Sequence, residues 1–404
     1  MKRNLLIIAV IPAIMQCAYA QGSLKIEKTG AARTLISLGL RCRGQAAGIF
    51  MNTLEEDLER SGWFTTAAGE RAALRVSGDC RQTGKKIEVD CVLSRISGRN
   101  IFRKTIQGPS ESARRMAHEL ADYIVESVKG RPGIASTRIA MIRSVNSEKD
   151  VYVCDADGRN VLRVTSDRTE CLSPAWAPDG NAIVYTSYHG RGSYPDTYSI
   201  DLKEGVRKTI SAYPGLNVHA DVSPDGNRMA LILSRDGNPE LYVKDLENSR
   251  LRRLTRTAGG AEASPSWSPD GRKIVFVSDT TGRPQLYITE ADGGAVERLT
   301  YRGSENAAPD WGPGGRIAWS SRRGGRYHIC TGSPDGGQTR QITRDPGADH
   351  EEPTWAPDGR HIAYTRTETY NSSIYLLDTM ENTQVRLIQL PGNWYSPAWG
   401  PGGN

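Results

Sequence analysis

Hydrophobic and polar positions alternate in short runs along most of the chain, and this pattern predicts many short β-strands. In the stretch after Gly271 the runs are KIVFVS, QLYIT and VERLT. The turn sequences DTTGRP and EADGG separate them and supply the glycine and aspartate residues that tight turns favour. Because the segment SPSW precedes the three runs, we expect this part of the chain to form four antiparallel strands.

This four-strand unit recurs at a nearly fixed period. Segments similar to SPSWSPDG end at six glycines whose spacings are 46, 45, 44, 44 and 44 residues: Gly180, Gly226, Gly271, Gly315, Gly359 and Gly403. Such a unit is typical of a β-propeller, because one small twisted sheet buries both faces only when neighbouring sheets stack on it. Five of the segments carry a tryptophan that we expect to fill the wedge between blades, and Val222 stands in the sixth: Trp176, Trp267, Trp311, Trp355 and Trp399.

The two ends of the repeat array complement each other. The first three strands, from Arg138, have no tryptophan segment before them, and the last tryptophan segment, at 396–403, has no strands after it. We therefore predict a six-bladed propeller over 138–404, in which the C-terminal strand completes the first blade and removes an exposed sheet edge.

Residues 21–130 have a different pattern. Two segments place apolar residues at helical spacing, the first with Phe50, Leu54 and Leu58 and the second with Met116, Leu120, Ile124 and Val128. Between them AALRVSG, KIEVDCVLS and NIFRKTI read as strands. The sequence thus predicts an α/β N-terminal domain over 21–130, joined to the all-β propeller by a linker at 131–137.

The first twenty residues are typical of a secretory leader. A basic start is followed by an apolar stretch from Leu5 to Met15 and by Ala18-Tyr19-Ala20, a cleavage pattern of small residues. The apolar stretch is too short to span a bilayer of about 30 Å as a helix. We predict a signal peptide at 1–20 and an exported mature chain.

Charge argues against a nucleic-acid partner. Residues 21–130 contain 18 basic and 13 acidic residues, whereas the part beyond 130 contains 32 and 33, without a run of Lys or Arg. A diluted excess of this kind lacks the clustered cations that follow a phosphate backbone.

Motifs for catalysis, metals and cofactors are missing from the sequence. There is no GxSxG nucleophile elbow, no HExxH or CxxC spacing and no glycine-rich phosphate loop between a strand and a helix. We therefore expect no catalytic residues, no metal site and no cofactor. Six cysteines remain after the leader, and their 15 possible pairings stay open: Cys42, Cys80, Cys91, Cys154, Cys171 and Cys330.

The candidate binding surface is one end of the propeller channel, which we call the mouth. The loops that enter each tryptophan segment, and the loops between the second and third strands, emerge there because strand direction alternates. Polar loop residues on a rigid scaffold are where binding usually resides. The candidates on the entry loops are Asn217, His219, Glu262, Glu305, Asn306, His350 and Glu351.

The whole mature chain resembles the TolB family of the Tol-Pal envelope system. The resemblance rests on the leader, the helix end DLERSGWF, the junction VKGRPGIASTRIAM, six xWxPDG-like segments and a chain that stops just after SPAW. It implies a periplasmic, non-enzymatic adaptor whose propeller mouth binds the peptidoglycan-associated lipoprotein Pal. It also implies contact with inner-membrane TolA through the N-terminal domain, support of the outer membrane during cell division, and membrane association only through partners.

Several residues depart from the family pattern. The loop YPGLNVHADV does not match it residue for residue, the segments ending at Gly315 and Gly403 have PGG in place of PDG, and the mature cysteines are unusual. The repeat alone also fits a propeller enzyme, and a metal-dependent polysaccharide lyase is the alternative function.

Overall fold

The structure is a computed structural model that describes residues 32–146, 148–190 and 194–402. The predicted signal peptide at 1–20 lies outside the described residues. Among the residues described, no helix is both long and apolar enough to cross a membrane.

The N-terminal region is an α/β layer of one sheet and two helices. Its elements are β1 (Thr34–Arg43), α1 (Gln45–Arg60), β2 (Phe64–Thr66), β3 (Leu74–Thr83), β4 (Lys86–Arg95), β5 (Asn100–Pro109) and α2 (Ala113–Lys129). The sheet order is β2-β1-β3-β4-β5, with β1 parallel to both of its neighbours. Phe50, Leu54 and Leu58 of α1 and Met116 and Leu120 of α2 are buried in one core with the sheet. The predicted helices and their apolar faces are confirmed.

Six four-stranded antiparallel sheets follow, each of them one blade. The first blade contains β6 (Arg138–Val145), β7 (Glu148–Asp155) and β8 (Leu162–Arg163), and the second β9 (Cys171–Trp176), β10 (Ala182–Ser187), β11 (Asp196–Asp201) and β12 (Arg207–Ser211). The third contains β13 (Asn217–Val222), β14 (Arg228–Leu233), β15 (Glu240–Asp245) and β16 (Leu251–Arg253), and the fourth β17 (Glu262–Trp267), β18 (Lys273–Ser278), β19 (Gln285–Glu290) and β20 (Glu297–Arg298). The fifth contains β21 (Asn306–Trp311), β22 (Ile317–Arg323), β23 (Arg326–Gly332) and β24 (Arg340–Gln341), and the sixth β25 (Asp349–Trp355), β26 (His361–Glu368), β27 (Asn371–Asp378) and β28 (Thr383–Arg386).

The last strand, β29 (Asn393–Trp399), completes the first blade. It pairs antiparallel with β6, from Asn393 opposite Ser144 to Trp399 opposite Ile139. The α/β region followed by a six-bladed propeller closed by the C-terminal strand is therefore confirmed. The domain bounds, 21–130 and 138–404 with a linker at 131–137, stay a prediction.

The tryptophans lie between blades, as expected. Trp176 packs with Ala140 and Ile142 of the first blade, and Trp267 with Ile232 and Leu241 of the third. Each ring thus covers the face of the preceding blade and buries apolar surface that a single sheet would expose.

Three of these tryptophans are also covered by an arginine from the preceding blade. The guanidinium carbon of Arg138 lies 5.0 Å from the Trp176 ring centroid, and Arg228 and Arg316 take the same position over Trp267 and Trp355. Each of the three also donates a hydrogen bond to the carbonyl of the glycine that ends the next tryptophan segment. These arginines bind neighbouring blades through both a cation–π contact and a hydrogen bond.

The α/β region contacts the propeller at the first and sixth blades, on the face opposite the mouth. Arg33 forms a bidentate ion pair with Glu381 (2.6 and 2.7 Å), and Arg114 is paired with Asp157. Arg360 is buried, bonds Asp378 and stacks over the ring of Trp63 at 4.5 Å. Gly62, at φ 69°, permits this approach, because a Cβ there would lie 2.4 Å from the Arg360 guanidinium. The described part of the α/β region thus contacts the face opposite the mouth.

Replacement of Trp394 tests the contribution of the closing strand. This fully buried side chain packs between the first and sixth blades, in edge contact with Tyr152. We expect Trp394→Ala to lower the free energy of unfolding by about 3–5 kcal/mol, because it leaves a large cavity at the closure. Urea denaturation followed by circular dichroism measures the change. Tyr370→Ala is the control, since Tyr370 is 86% exposed, and a loss below about 1 kcal/mol for Trp394→Ala would contradict the assignment.

Candidate functional site

Four of the seven predicted mouth residues occupy the same position in successive blades. Asn217, Glu262, Asn306 and His350 each lie near the start of an inner strand, and the equivalent positions in the remaining blades hold Cys171 and Trp394. All six side chains are buried. In this structure the four polar residues therefore lie beneath the mouth and shape its loops from inside.

The two asparagines fix the loops that enter the third and fifth blades. Asn217 accepts hydrogen bonds from Ser211 Oγ (2.7 Å) and the Tyr213 amide (2.9 Å), and it donates to the Tyr213 carbonyl (2.7 Å). Asn306 accepts from Trp319 Nε1 (2.9 Å) and donates to Gln285 Oε1 (2.9 Å). With its polar atoms bonded in this way, each side chain holds its loop in one conformation.

Glu262 and His350 are buried in settings that favour their neutral forms. Burial raises the pKa of Glu262 to about 7, although Thr257 and Ser278 donate hydrogen bonds to its Oε1. Burial lowers the pKa of His350 to about 4, and its ring stacks on Tyr364 with centroids 5.4 Å apart. Neither ring nitrogen of His350 has a hydrogen-bond partner among the described residues. His350 is therefore neutral near pH 7, whereas Glu262 keeps its proton only in part at that pH.

Two of the other three predicted residues, Glu305 and Glu351, lie closer to solvent. Glu305 is 23% exposed, pairs with Arg322 (3.0 Å) and accepts a hydrogen bond from the Tyr327 hydroxyl (2.5 Å). Glu351 is half-buried, and burial together with the nearby carboxylates of Glu352 and Asp349 raises its pKa to about 7. His219 lies deeper, in the wall of the channel. The structure does not bring all seven residues together on one surface.

A cavity of about 390 Å³ opens at the mouth between the sixth and first blades. Its lining includes Glu351, Glu352 and Tyr395 from the inner strands, together with Thr369 and Tyr370 from the loop between β26 and β27. Tyr370 is 86% exposed. The sequence predicted that the loops between the second and third strands lie at the mouth, but it did not single out this tyrosine. An aromatic residue in the polar loop sequence TETYNSS is a signal that could have identified it.

The channel below the mouth has a volume of about 360 Å³ and is lined by equivalent residues of the six inner strands. One residue in each strand has a positive φ between 46° and 52° and interrupts the pairing register: Ser173, His219, Ser264, Ala308, Glu352 and Ser396. Positive φ is costly for residues other than glycine, and its recurrence in all six strands shows that the channel wall is built from β-bulges.

Side chains beside these bulges join neighbouring blades around the channel. Asp221 accepts a hydrogen bond from the Trp267 amide (2.9 Å), and Asp310 accepts one from the Trp355 amide (2.6 Å). Ser266 and Thr354 accept the corresponding amides of Trp311 and Trp399. Burial raises the pKa of Asp221 to about 7 and that of Asp310 to about 6.

The acidic groups of the channel do not form a metal centre in the part of the chain that the structure describes. No group of three or more His, Cys, Asp or Glu side chains with the spacing of metal ligands occurs there. The carboxylates of Asp221 and Asp310 are bonded to backbone amides of the next blade, which gives them a structural role in the ring.

A family model described as the TolB β-propeller domain matches residues 125–402, more than half of the chain. The Tol-Pal system protein TolB of Desulfosudis oleivorans is 34% identical over 189 residues, which are 46% of this chain and 42% of that protein. TolB of Alcanivorax borkumensis is 34% identical over 142 residues, 34% of this chain and 32% of that protein. These alignments span less than half the length of the curated relatives.

A solved structure extends the similarity to nearly the full length. The crystal structure of TolB from Acinetobacter baumannii superposes with a TM-score of 0.81 at 28% sequence identity, covering 92% of this chain and 98% of that one. The α/β region is therefore included in the similarity, and the resemblance drawn from the sequence is confirmed.

The raised pKa of Asp221 predicts a pH dependence of stability. A carboxyl that binds its proton more tightly in the folded than in the unfolded chain contributes most below pH 4, and the contribution is lost as the pH rises to about 7. Asp221→Asn keeps an acceptor for the Trp267 amide but cannot ionise. We expect its free energy of unfolding to fall less than that of the wild type between pH 5 and 8, by about 1–3 kcal/mol.

Urea denaturation across this pH range measures the effect. Asp292→Asn is the control because that side chain is 82% exposed. Equal pH profiles for Asp221→Asn and the wild type would show that Asp221 is already ionised at pH 5 in the folded protein.

Proposed function

The chain belongs to the TolB β-propeller family, and on that premise we propose that it is a non-enzymatic periplasmic adaptor of a Tol-Pal system. The proposed partner is a Pal-like peptidoglycan-associated lipoprotein, bound at the propeller mouth. The observation that carries the proposal is the similarity to Acinetobacter baumannii TolB over 92% of this chain, α/β region included.

The arrangement of the two faces supports the mouth as the partner site. The α/β region already covers the opposite face at the first and sixth blades, through Arg33, Arg360 and Arg114. The mouth above the same two blades contains the cavity with Glu351, Tyr370 and Tyr395. A half-buried carboxyl beside an exposed tyrosine suits a protein partner, because aromatic residues dominate the energy of such interfaces.

Rigidity of the mouth supports the same proposal. Asn217 and Asn306 fix two of its loops, and Glu352 joins the sixth and first blades by accepting hydrogen bonds from Ser396 Oγ (2.8 Å) and the Ser396 amide (2.8 Å). A surface that is already ordered spends little conformational entropy when a partner binds. Although Asn217 and Asn306 are buried, they thus support partner binding by holding their loops in place.

In this proposal the protein helps to hold the outer membrane to the cell wall and to constrict it during division. It reaches the membrane only through its partners. The α/β region would provide a second contact, with TolA, which makes the protein a connection between two envelope components.

Capture of the partner tests the mouth assignment. We expect the double variant Glu351→Gln, Tyr370→Ala to bind the soluble domain of the organism's Pal-like lipoprotein at least about tenfold more weakly, since an exposed aromatic hot spot contributes roughly 2 kcal/mol. Isothermal titration calorimetry gives the affinities. The matched control is Glu247→Gln, Val296→Ala, which changes exposed residues on the opposite face of the propeller. Equal affinities of the two double variants would contradict binding at this part of the mouth.

The cellular role has a separate test. Deletion of the gene should make cells sensitive to detergent and delay constriction of the outer membrane, because the connection to the cell wall is lost. The control variant should restore wild-type growth on detergent, whereas the mouth variant should not. If both variants fully restored growth on detergent, the envelope function would not depend on the mouth.

A further inference from the structure

Three cysteines lie on adjacent strands of the α/β sheet. Cys42 is the last residue but one of β1, Cys80 is on β3 and Cys91 is on β4. Cys80 and Cys91 are fully buried in the core beneath the helices, and Cys42 is half-buried against the same core. All three side chains therefore project from the same face of the sheet.

Cys42 and Cys80 are direct neighbours in the ladder. The parallel register of β1 and β3 places Cys42 opposite Cys80. Neighbouring strands are about 4.8 Å apart, and this spacing lies within the Cα separations of about 4.4–6.8 Å that disulfides span.

The remaining cysteines are less well placed. Cys91 is opposite Gly78, so it is only a diagonal neighbour of Cys80, at a separation of about 7–8 Å. Cys154, Cys171 and Cys330 lie in the first, second and fifth blades. The ladder thus favours one pair among the 15 pairings that the sequence left open.

We propose that Cys42 and Cys80 form a disulfide when the exported protein meets a disulfide oxidant. The Cys42 thiolate attacks a sulfur of the oxidant and releases one thiol, and the Cys80 thiolate then attacks Cys42 Sγ and releases the second. In balance, two protein thiols become one S–S bond, and one oxidant disulfide becomes two thiols. Cys42 reacts first because it is the partly exposed member of the pair.

Cys42 and Cys80 lie near the end of the β1–β3 ladder. Disulfides need Cβ atoms about 3.5–4.5 Å apart, so formation of the bond draws the two strands slightly closer at this position. Only the pair Arg43–Arg81 lies beyond them in the ladder, so the shift involves the end of the strand pairing. The proposal goes beyond the adaptor function and rests only on the proposed periplasmic location.

The bond would stabilise the part of the α/β region that contacts the propeller. The loop from Cys42 to Cys80 contains α1, Trp63 and β2, and Trp63 stacks against Arg360 of the sixth blade. A cross-link restricts the unfolded forms of the segment that it encloses. We expect its reduction to lower the Tm of the α/β region by several degrees.

Peptide mapping tests the proposal directly. The mature chain is incubated with oxidised glutathione, alkylated in denaturant and digested, and the peptides are identified by mass spectrometry. We expect one linked pair that joins Cys42 to Cys80, lighter than the two reduced peptides by two hydrogen atoms. Cys91, Cys154, Cys171 and Cys330 should be recovered alkylated.

Matched variants make the result specific. Cys91→Ser should retain the linked pair, whereas Cys42→Ser should lose it and should have a Tm that no longer responds to reductant. Recovery of six alkylated cysteines from the wild type, or a link between any other two, would overturn the proposal. The wild type and Cys42→Ser should capture the Pal-like partner equally well. Absence of the Cys42–Cys80 disulfide would therefore leave the proposed adaptor function unaffected.

Discussion

Closure of the ring by β29 is the constraint on which the rest of the structure depends. The pairing of β29 with β6 joins the two ends of the repeat array in one blade and inserts Trp394 and Trp399 between the first and sixth blades. The same strand reaches the opposite face, because Trp399 Nε1 donates to Thr137 Oγ1 in the segment that leads from the α/β region. Asp122 of α2 binds the neighbouring Ser136, so closure also positions the α/β region.

A closed ring explains how a channel of buried carboxyls and strained backbone persists. Six residues with positive φ and two carboxyls with raised pKa values are each unfavourable in isolation. Packing of all six blades keeps them in place, and Asp221 and Asp310 in return accept hydrogen bonds from backbone amides of the next blade. The consequence for function is that the entry loops held by Asn217 and Asn306 are ordered before any partner arrives.

The fold could be predicted from the sequence because it repeats: a period near 44 residues and unmatched ends determined both the number of blades and their closure. The site residues were harder to predict, because the sequence does not distinguish a polar side chain exposed on a loop from one buried beneath it. Asn217, Glu262, Asn306 and His350 are buried since they fill the position that Cys171 and Trp394 fill elsewhere. Tyr370 was missed because the sequence indicates a turn here but does not show that Glu368 pairs with Asn371 and leaves this ring exposed at the tip of the hairpin.

We propose that a partner binds the mouth above the first and sixth blades while the α/β region stays on the opposite face. Hydrogen–deuterium exchange of this protein, with and without the soluble domain of the Pal-like lipoprotein, tests this proposal most directly. We expect slower exchange on binding in the segments around Glu351, Tyr370 and Tyr395, with the turns around Asp157 and Glu381 unchanged. Slower exchange confined to those turns or to the α/β region would contradict it.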